Sequence, residues 1–208
     1  MEPELVYKTL GPQKLISDLN RIKKNSWVFV CDMGDLFCEN KIIKANHITW
    51  VINAMSRRDE LKYLLVTKNP KGYMDFAIQF SENTTTLGTT IETNKNEIIR
   101  KYSKAPSTYN RYKALKKLSF ARKFVGLEPL FDFDLDVLLN WLIEINPEII
   151  AVGFDEHKRS MKRTLSDRPP PDKVLKLLSS LKTKFKQFPE KRIYLNGEIA
   201  NIYFGKTH

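Results

Sequence analysis

Cysteine is scarce in this sequence, with two residues in 208. Cys31 and Cys38 have six residues between them, a spacing that fits neither a zinc knuckle nor a redox C-x-x-C pair. Two thiols also make no disulfide framework in a chain of this size, so a reducing, cytoplasmic compartment is expected. Histidine is nearly as rare: His47, His157 and His208 form no H-E-x-x-H pair and no cluster. There is no G-x-G-x-x-G, no Walker pattern and no G-x-S-x-G, which removes the usual dinucleotide, phosphate-loop and serine-hydrolase readings. No apolar run reaches the ~18 residues of a membrane span, so no membrane partner is expected. The opening MEPELVYKTLG is acidic and mixed, unlike a signal peptide. No Gly/Ser linker divides the chain. A single α/β domain over 1–208 is expected, with 1–25 as an N-terminal extension or helix and 26–196 as the repeating part.

Negative charge is also in short supply. Lys and Arg number 35 against 24 Asp and Glu, a net charge of +11 and a pI of about 9.5. Such a balance favours nucleic acid, anionic lipid or a phosphorylated ligand, and is equally that of a lysine-decorated soluble surface. The densest runs are RIKKN, YNRYKALKK and DEHKRSMKR. Hydrophobic residues, at 42%, suffice for a core.

What is present is alternation. SWVFVC, LKYLLVT, TTLGTTIET, RKFVGLEPL, EIIAVGFD and KRIYLN read as strands, being short apolar or β-branched runs. Between them lie helical patterns. NHITWVINAMSRR puts Ile48, Val51, Ile52 and Met55 on one face. NPKGYMDFAIQF begins with a Pro suited to a helix's first turn or the loop before it. SKAPSTYNRYKALKKL reads as a helix capped by Ser107 and running to Leu118. DFDLDVLLNWLIEIN carries the stripe Leu135, Leu138, Leu139, Leu142 and Ile145, and PPPDKVLKLLSSLKTKF is entered through prolines. Strand then helix at ~30-residue intervals predicts a parallel sheet of about six strands. That is an incomplete TIM-like barrel or an open sheet, short of the eight units of a closed barrel.

Sites in parallel α/β folds lie at the C-terminal ends of the strands. Here those ends carry Asp32 and Asp35, then Thr67, Lys68 and Asn69, then Glu92, Thr93 and Asn94, then Glu128 before Pro129, then Asp155. Any one of them also reads as a cap or a loop hydrogen bond. As a set they predict a shared rim. Gly34, Gly88 and Gly153 near strand ends would admit a close approach of ligand or backbone.

VFVCDMGDLF, LLVTKNPKGYMDF, LGTTIETN, SKAPSTYNRYKAL, LEPLFDFDLD and INPEIIAVGFD occur in that order. Together, over roughly residues 26 to 180, they resemble the phage- and archaea-associated branch of the radical S-adenosylmethionine (SAM) barrel proteins, related more distantly to spore photoproduct lyases. The resemblance implies a partial (β/α) barrel in which three thiolates of a C-x-x-x-C-x-x-C loop hold a [4Fe–4S] cluster and SAM chelates its fourth iron. By motif, it implies Asp32 and Asp35 at the methionine end of SAM, Glu92 and Asn94 at a ribose- or carboxylate-facing position, Arg111 in contact with SAM, and Glu128 and Asp155 lining the cavity. The cluster loop itself has no counterpart here, so a [4Fe–4S] cluster is not supported and no cofactor is expected from this chain other than SAM by resemblance. The expectation is a shortened, split or degenerate relative with a residual ligand pocket. An edge beside SWVFVC would be covered by a second copy in a homodimer or by a partner chain.

Two other functions compete. A metal-dependent nuclease or phosphodiesterase would hold Mg²⁺ or Mn²⁺ on Asp32, Asp35, Glu92, Glu128 and Asp155, with Lys68 steadying a phosphate. A non-catalytic nucleic-acid-binding protein would use Lys113, Lys116 and Lys117 near Tyr109 and Tyr112, residues that also read as a solvated helix face.

Overall fold

The computed structural model describes residues 12–30, 34–39, 43–155, 164–185 and 192–204. Six strands form one sheet: β1 (Trp27–Val30), β2 (Lys62–Val66), β3 (Thr85–Thr90), β4 (Lys123–Leu127), β5 (Ile149–Val152) and β6 (Arg192–Leu195). They lie in chain order and every pair is parallel. Right-handed crossovers between neighbours in that order leave all helices on one face. The sheet curls into a half-barrel with the helices outside, the partial barrel expected from the repeats.

The helices are α1 (Pro12–Asn20), α2 (Ala45–Ser56), α3 (Asn96–Ile99), α4 (Thr108–Lys117), α5 (Leu135–Ile145), α6 (Pro171–Phe185) and α7 (Gly197–Phe204). Their apolar stripes supply the core: Ile48, Ile52 and Met55 from α2, Leu138, Leu142 and Ile145 from α5, Val174, Leu177 and Leu181 from α6. Ser107 caps α4, its hydroxyl accepting from the Asn110 N–H at 3.2 Å. Asn146 closes α5 in the left-handed region (φ 54°), which Asn tolerates well. Arg58 donates to the carbonyls of Leu19 and Ile22, fastening the end of α1 beside α2.

Two stretches differ from the sequence reading. Residues 70–79 form two 3₁₀ turns, Pro70–Asp75 and Ala77–Gln79, rather than one α-helix. Gly72 weakens the run, and the Tyr73 hydroxyl donates to the carbonyls of Leu65 and Gly88 at 2.9 Å each, which ties the turn to the sheet. The loop after β3 contains α3, whose Ile98 and Ile99 pack with Phe131 in a small cluster of their own.

Strand alternation makes two distinct faces. Tyr63, Leu65, Leu87, Thr89, Val125, Leu127, Ile150 and Val152 face the helices and are buried. The alternate residues face the hollow of the half-barrel. Trp27 (40% exposed), Phe29 (53%) and Tyr194 (51%) stand open on that side. The middle of the hollow has small residues, Gly88, Thr90, Gly126 and Ala151, and the Phe124 ring lies across two of them. A Cβ on Gly88 would come within 2.6 Å of the Phe124 ring and 2.8 Å of its carbonyl oxygen. The ring can turn, but the carbonyl belongs to the paired strand. Gly88→Ala is therefore expected to lower unfolding free energy by about 1–3 kcal/mol in urea titration. Gly34→Ala, with no described residue within 4 Å of the new methyl, should stay within about 0.5 kcal/mol of the parent.

Candidate functional site at the barrel mouth

The side chain two residues beyond the last hollow-facing residue of a strand stands above it at the mouth. On β2 to β6 that rule selects Lys68, Glu92, Glu128, Gly153 and Asn196. Neighbours in this row touch. Lys68 Nζ lies 3.1 Å from Glu92 Oε1. A Cβ on Gly153 would stand 2.7 Å from the Glu128 carboxyl carbon and 2.6 Å from the Asn196 amide nitrogen, so both side-chain ends close on that spot and would shift for a larger residue.

Glu92 is the anchor. Its side chain is 1% exposed and its oxygens lie 2.9 and 3.2 Å from Nη1 of Arg111, which is 0% exposed. The Thr90 hydroxyl donates to Glu92 Oε1 at 2.9 Å and receives Arg111 Nη1 at 3.1 Å. Arg111 Nε donates to the Pro106 carbonyl at 2.7 Å, while Nη2 is buried without a hydrogen-bond partner among the described residues. Burial pushes the Glu92 carboxyl up, but Arg111 and Lys68 together pull it down further, to below the usual glutamate range. Glu92 thus stays ionised at neutral pH.

Asp35 ties the end of β1 to that of β2. Oδ1 accepts from the Thr67 hydroxyl at 2.6 Å and the Phe37 N–H at 3.0 Å, and Oδ2 from the Lys68 N–H at 2.8 Å. The latter bond fixes the backbone that presents Lys68. Asn94 turns outward: its amide oxygen accepts from the Asp134 N–H at 2.8 Å, at the start of α5. Thr93 donates to the Asp132 carbonyl at 2.5 Å, and Asp132 is held by Lys95 and Lys173 at 2.6 Å each.

A cavity of about 280 Å³ opens over this row, lined by Lys68, Glu92 and Asp155, with Tyr102, Phe131 and Thr164 around them. Tyr102 and Phe131 stack with ring centroids 4.6 Å apart, and the Tyr102 hydroxyl donates to Asp167 at 2.5 Å. Of the residues the sequence singled out, Lys68, Glu92 and Asp155 meet here. Arg111 stands behind Glu92, Asp35 acts through the backbone, Glu128 is exposed on the row beside Gly153, and Asn94 serves α5. Asp32 lies outside the described residues. Asn196 and Tyr102 were not anticipated. The strand-end signal extends to Asn196, the last residue of KRIYLN, while Tyr102 sits in a loop whose fold over Glu92 no local pattern announces.

A family model described as "Protein of unknown function (DUF5131)" matches residues 5–153. The chain belongs to that family. No curated protein matches it. Among solved structures, the DUF5131 chain is similar to the crystal structure of Streptococcus suis SuiB bound to precursor peptide SuiA, at 10% identity and a TM-score of 0.57. The match covers 88% of this chain and 41% of that one, so this chain spans less than half the SuiB length. The likeness supports a radical-SAM-like fold for the half-barrel.

The fold's usual cofactors meet different receptions. Three thiolates hold its cluster, whereas this DUF5131 chain carries Cys31 and Cys38 alone, so its own residues do not fit a [4Fe–4S] centre. The mouth, with the ammonium groups of Lys68 and Lys101 and the carboxylates of Glu92 and Asp155 about one cavity, carries both signs of charge, as SAM does. Among the described residues, no three of His, Cys, Asp or Glu are grouped to hold a metal ion, and no helix is long and apolar enough to cross a membrane.

Removing one partner of a buried ion pair strands the other charge. Glu92→Gln and Arg111→Met are each expected to cost about 3–5 kcal/mol in chemical denaturation. The parent's stabilisation from Glu92 is present above the unfolded glutamate pKa, about 4.3. It is lost as pH falls through the lower folded value. A stability–pH profile of Glu92→Gln should therefore show a smaller acid-side loss than the parent, the part that remains belonging to other paired carboxylates such as Asp132 and Asp167.

Proposed function

We propose that the chain is a ligand-binding half-barrel of the radical-SAM type, and that its mouth takes a SAM-class ligand, an amino-acid end joined to a flat nucleoside. The observation that carries the reading is the cavity in which Lys68, Glu92 and Asp155 meet the stacked Tyr102–Phe131 pair. Lys68 is 43% exposed and is positioned to receive a ligand carboxylate, while Glu92, held ionised by Arg111, balances it from behind. Asp155 would face the ligand's ammonium or sulfonium. The aromatic pair offers a flat apolar wall to a base.

The cavity is at the small end of the ~300–1,000 Å³ usual for ligand sites, so a nucleoside-sized ligand would extend from it over the hollow. Trp27, Phe29 and Tyr194 stand open there. In the fold family SAM supplies a radical when an electron reaches it. No bond-breaking step is assigned to these residues, because the chain's own thiols do not complete a cluster loop. The order of motifs over residues 26 to 180 supports placing it with the phage- and archaea-associated branch, as a relative that keeps recognition without the cluster ligands.

Isothermal titration of the full chain with SAM, S-adenosylhomocysteine and adenosine tests the reading. Saturable binding of SAM is expected, weakened about tenfold or more by Lys68→Ala, the loss of one charge-assisted hydrogen bond. Absence of saturable binding by all three ligands at millimolar concentration would remove it. Formation of a stable cluster on the chain alone, seen as visible absorption after anaerobic iron and sulfide, would overturn the loss of cluster ligation.

A further inference from the structure

A second concavity lies beside Arg111, separate from the mouth cavity. Its volume is about 610 Å³, and the turn Pro70–Asp75, the loop before α4, and α4 itself line it. Its charge is one-sided. Lys71, Lys104, Lys113 and Lys117 line it, against one carboxylate among the described lining residues, Glu39. All four lysines are exposed, and none is in an ion pair among the described residues. Lys116, on the same helix, behaves differently: its Nζ lies 3.1 Å from Glu144 of α5. Helix α4 therefore sorts its lysines, spending Lys116 on its neighbour and turning Lys113 and Lys117 to the groove.

Like charges around one hollow repel each other, and an anion placed among them relieves that repulsion. Lys113 and Lys117 are one helical turn apart, about 6 Å along the axis, so they suit successive charges on one chain better than a single ion. Arg111 also lines the groove, and its Nη2 is a buried donor with no hydrogen-bond partner among the described residues.

We propose that this groove binds the phosphate backbone of a single-stranded nucleic acid. Duplexes are read by protruding helices or ribbons that enter their grooves, and membranes bind protruding basic faces. A basic hollow follows a single strand. Tyr109, 47% exposed on α4 with Lys113 Nζ 4.9 Å from its ring centroid, adds a face on which a base can stack.

Fluorescence anisotropy of the full chain with a labelled single strand of about a dozen nucleotides, over a salt series, tests this. Four lysines at ~0.7 each predict that log affinity falls with log salt at a slope near −3. The double variant Lys113→Glu/Lys117→Glu is expected to bind about tenfold or more weakly, with a slope shallower by about 1.4. Lys182→Glu/Lys184→Glu makes the same change of net charge on exposed positions of α6 and should keep both affinity and slope. Equal losses in the two variants would reduce the effect to net charge and overturn the groove. Tighter binding of the matching duplex, or sedimentation with phosphatidylserine vesicles in place of oligonucleotide binding, would overturn the choice of partner.

Discussion

The half-barrel is organised around one buried ion pair. Glu92 leaves the end of β3 and Arg111 rises from the second turn of α4, and both side chains are closed off from water. A carboxylate placed there alone would sit among apolar neighbours at a cost of several kcal/mol. The bonds from Thr90, Pro106 and Lys68 make the arrangement tolerable by satisfying most of the donors and acceptors. The pair also fixes position. It holds α4 against the mouth of β3, and so sets the wall between the mouth cavity and the basic groove. A hydrophobic pair could weld the same elements, but it would leave no charge at the rim for Lys68 to meet.

Strand alternation explains why the rim is orderly. Six parallel strands in register send every second residue to the hollow, and the next such position beyond each strand becomes the mouth row. The same alternation sets the demand for glycine. Gly153 leaves room for the side-chain ends of Glu128 and Asn196, which close on the place its Cβ would take, and Gly88 for Phe124, which crosses it. These glycines answer to side chains on adjacent strands, not to turns in their own.

That division decides what could be read from the sequence. The six strands, the stripe of α5 and the Ser107 cap are local facts, encoded within a few residues, and each appears in the fold. The parallel order followed from the repeat of strand and helix. The rim was legible as polar residues at strand ends, but which of them share a cavity was not. Glu92 and Asn94 are two residues apart, and one turns inward to Arg111 while the other turns outward to Asp134. Nothing in IETN distinguishes them; the distinction comes from the partner each meets, 19 and 40 residues away. The turn at 70–75 was obscured for a related reason: the Tyr73 hydroxyl donates to carbonyls of β2 and β3, and those bonds outweigh the local pattern.

Charge is partitioned by the same long-range contacts. The chain's excess of lysine and arginine is spread along the sequence with a few dense runs, and the fold treats it unequally. Lys95, Lys173 and Lys116 are matched to Asp132 and Glu144, where they fasten loops and helices. Lys71, Lys104, Lys113 and Lys117 are left facing one hollow. A surface that needed lysine only for solubility would gain by interspersing these with carboxylates, because separated like charges repel less. Acidic side chains are available nearby, but they are committed to structural partners: Asp35 to the Lys68 backbone and Glu92 to Arg111. The concentration of unmatched cations is therefore a consequence of where the acids are used, and it leaves the groove with an unmet demand for an anion.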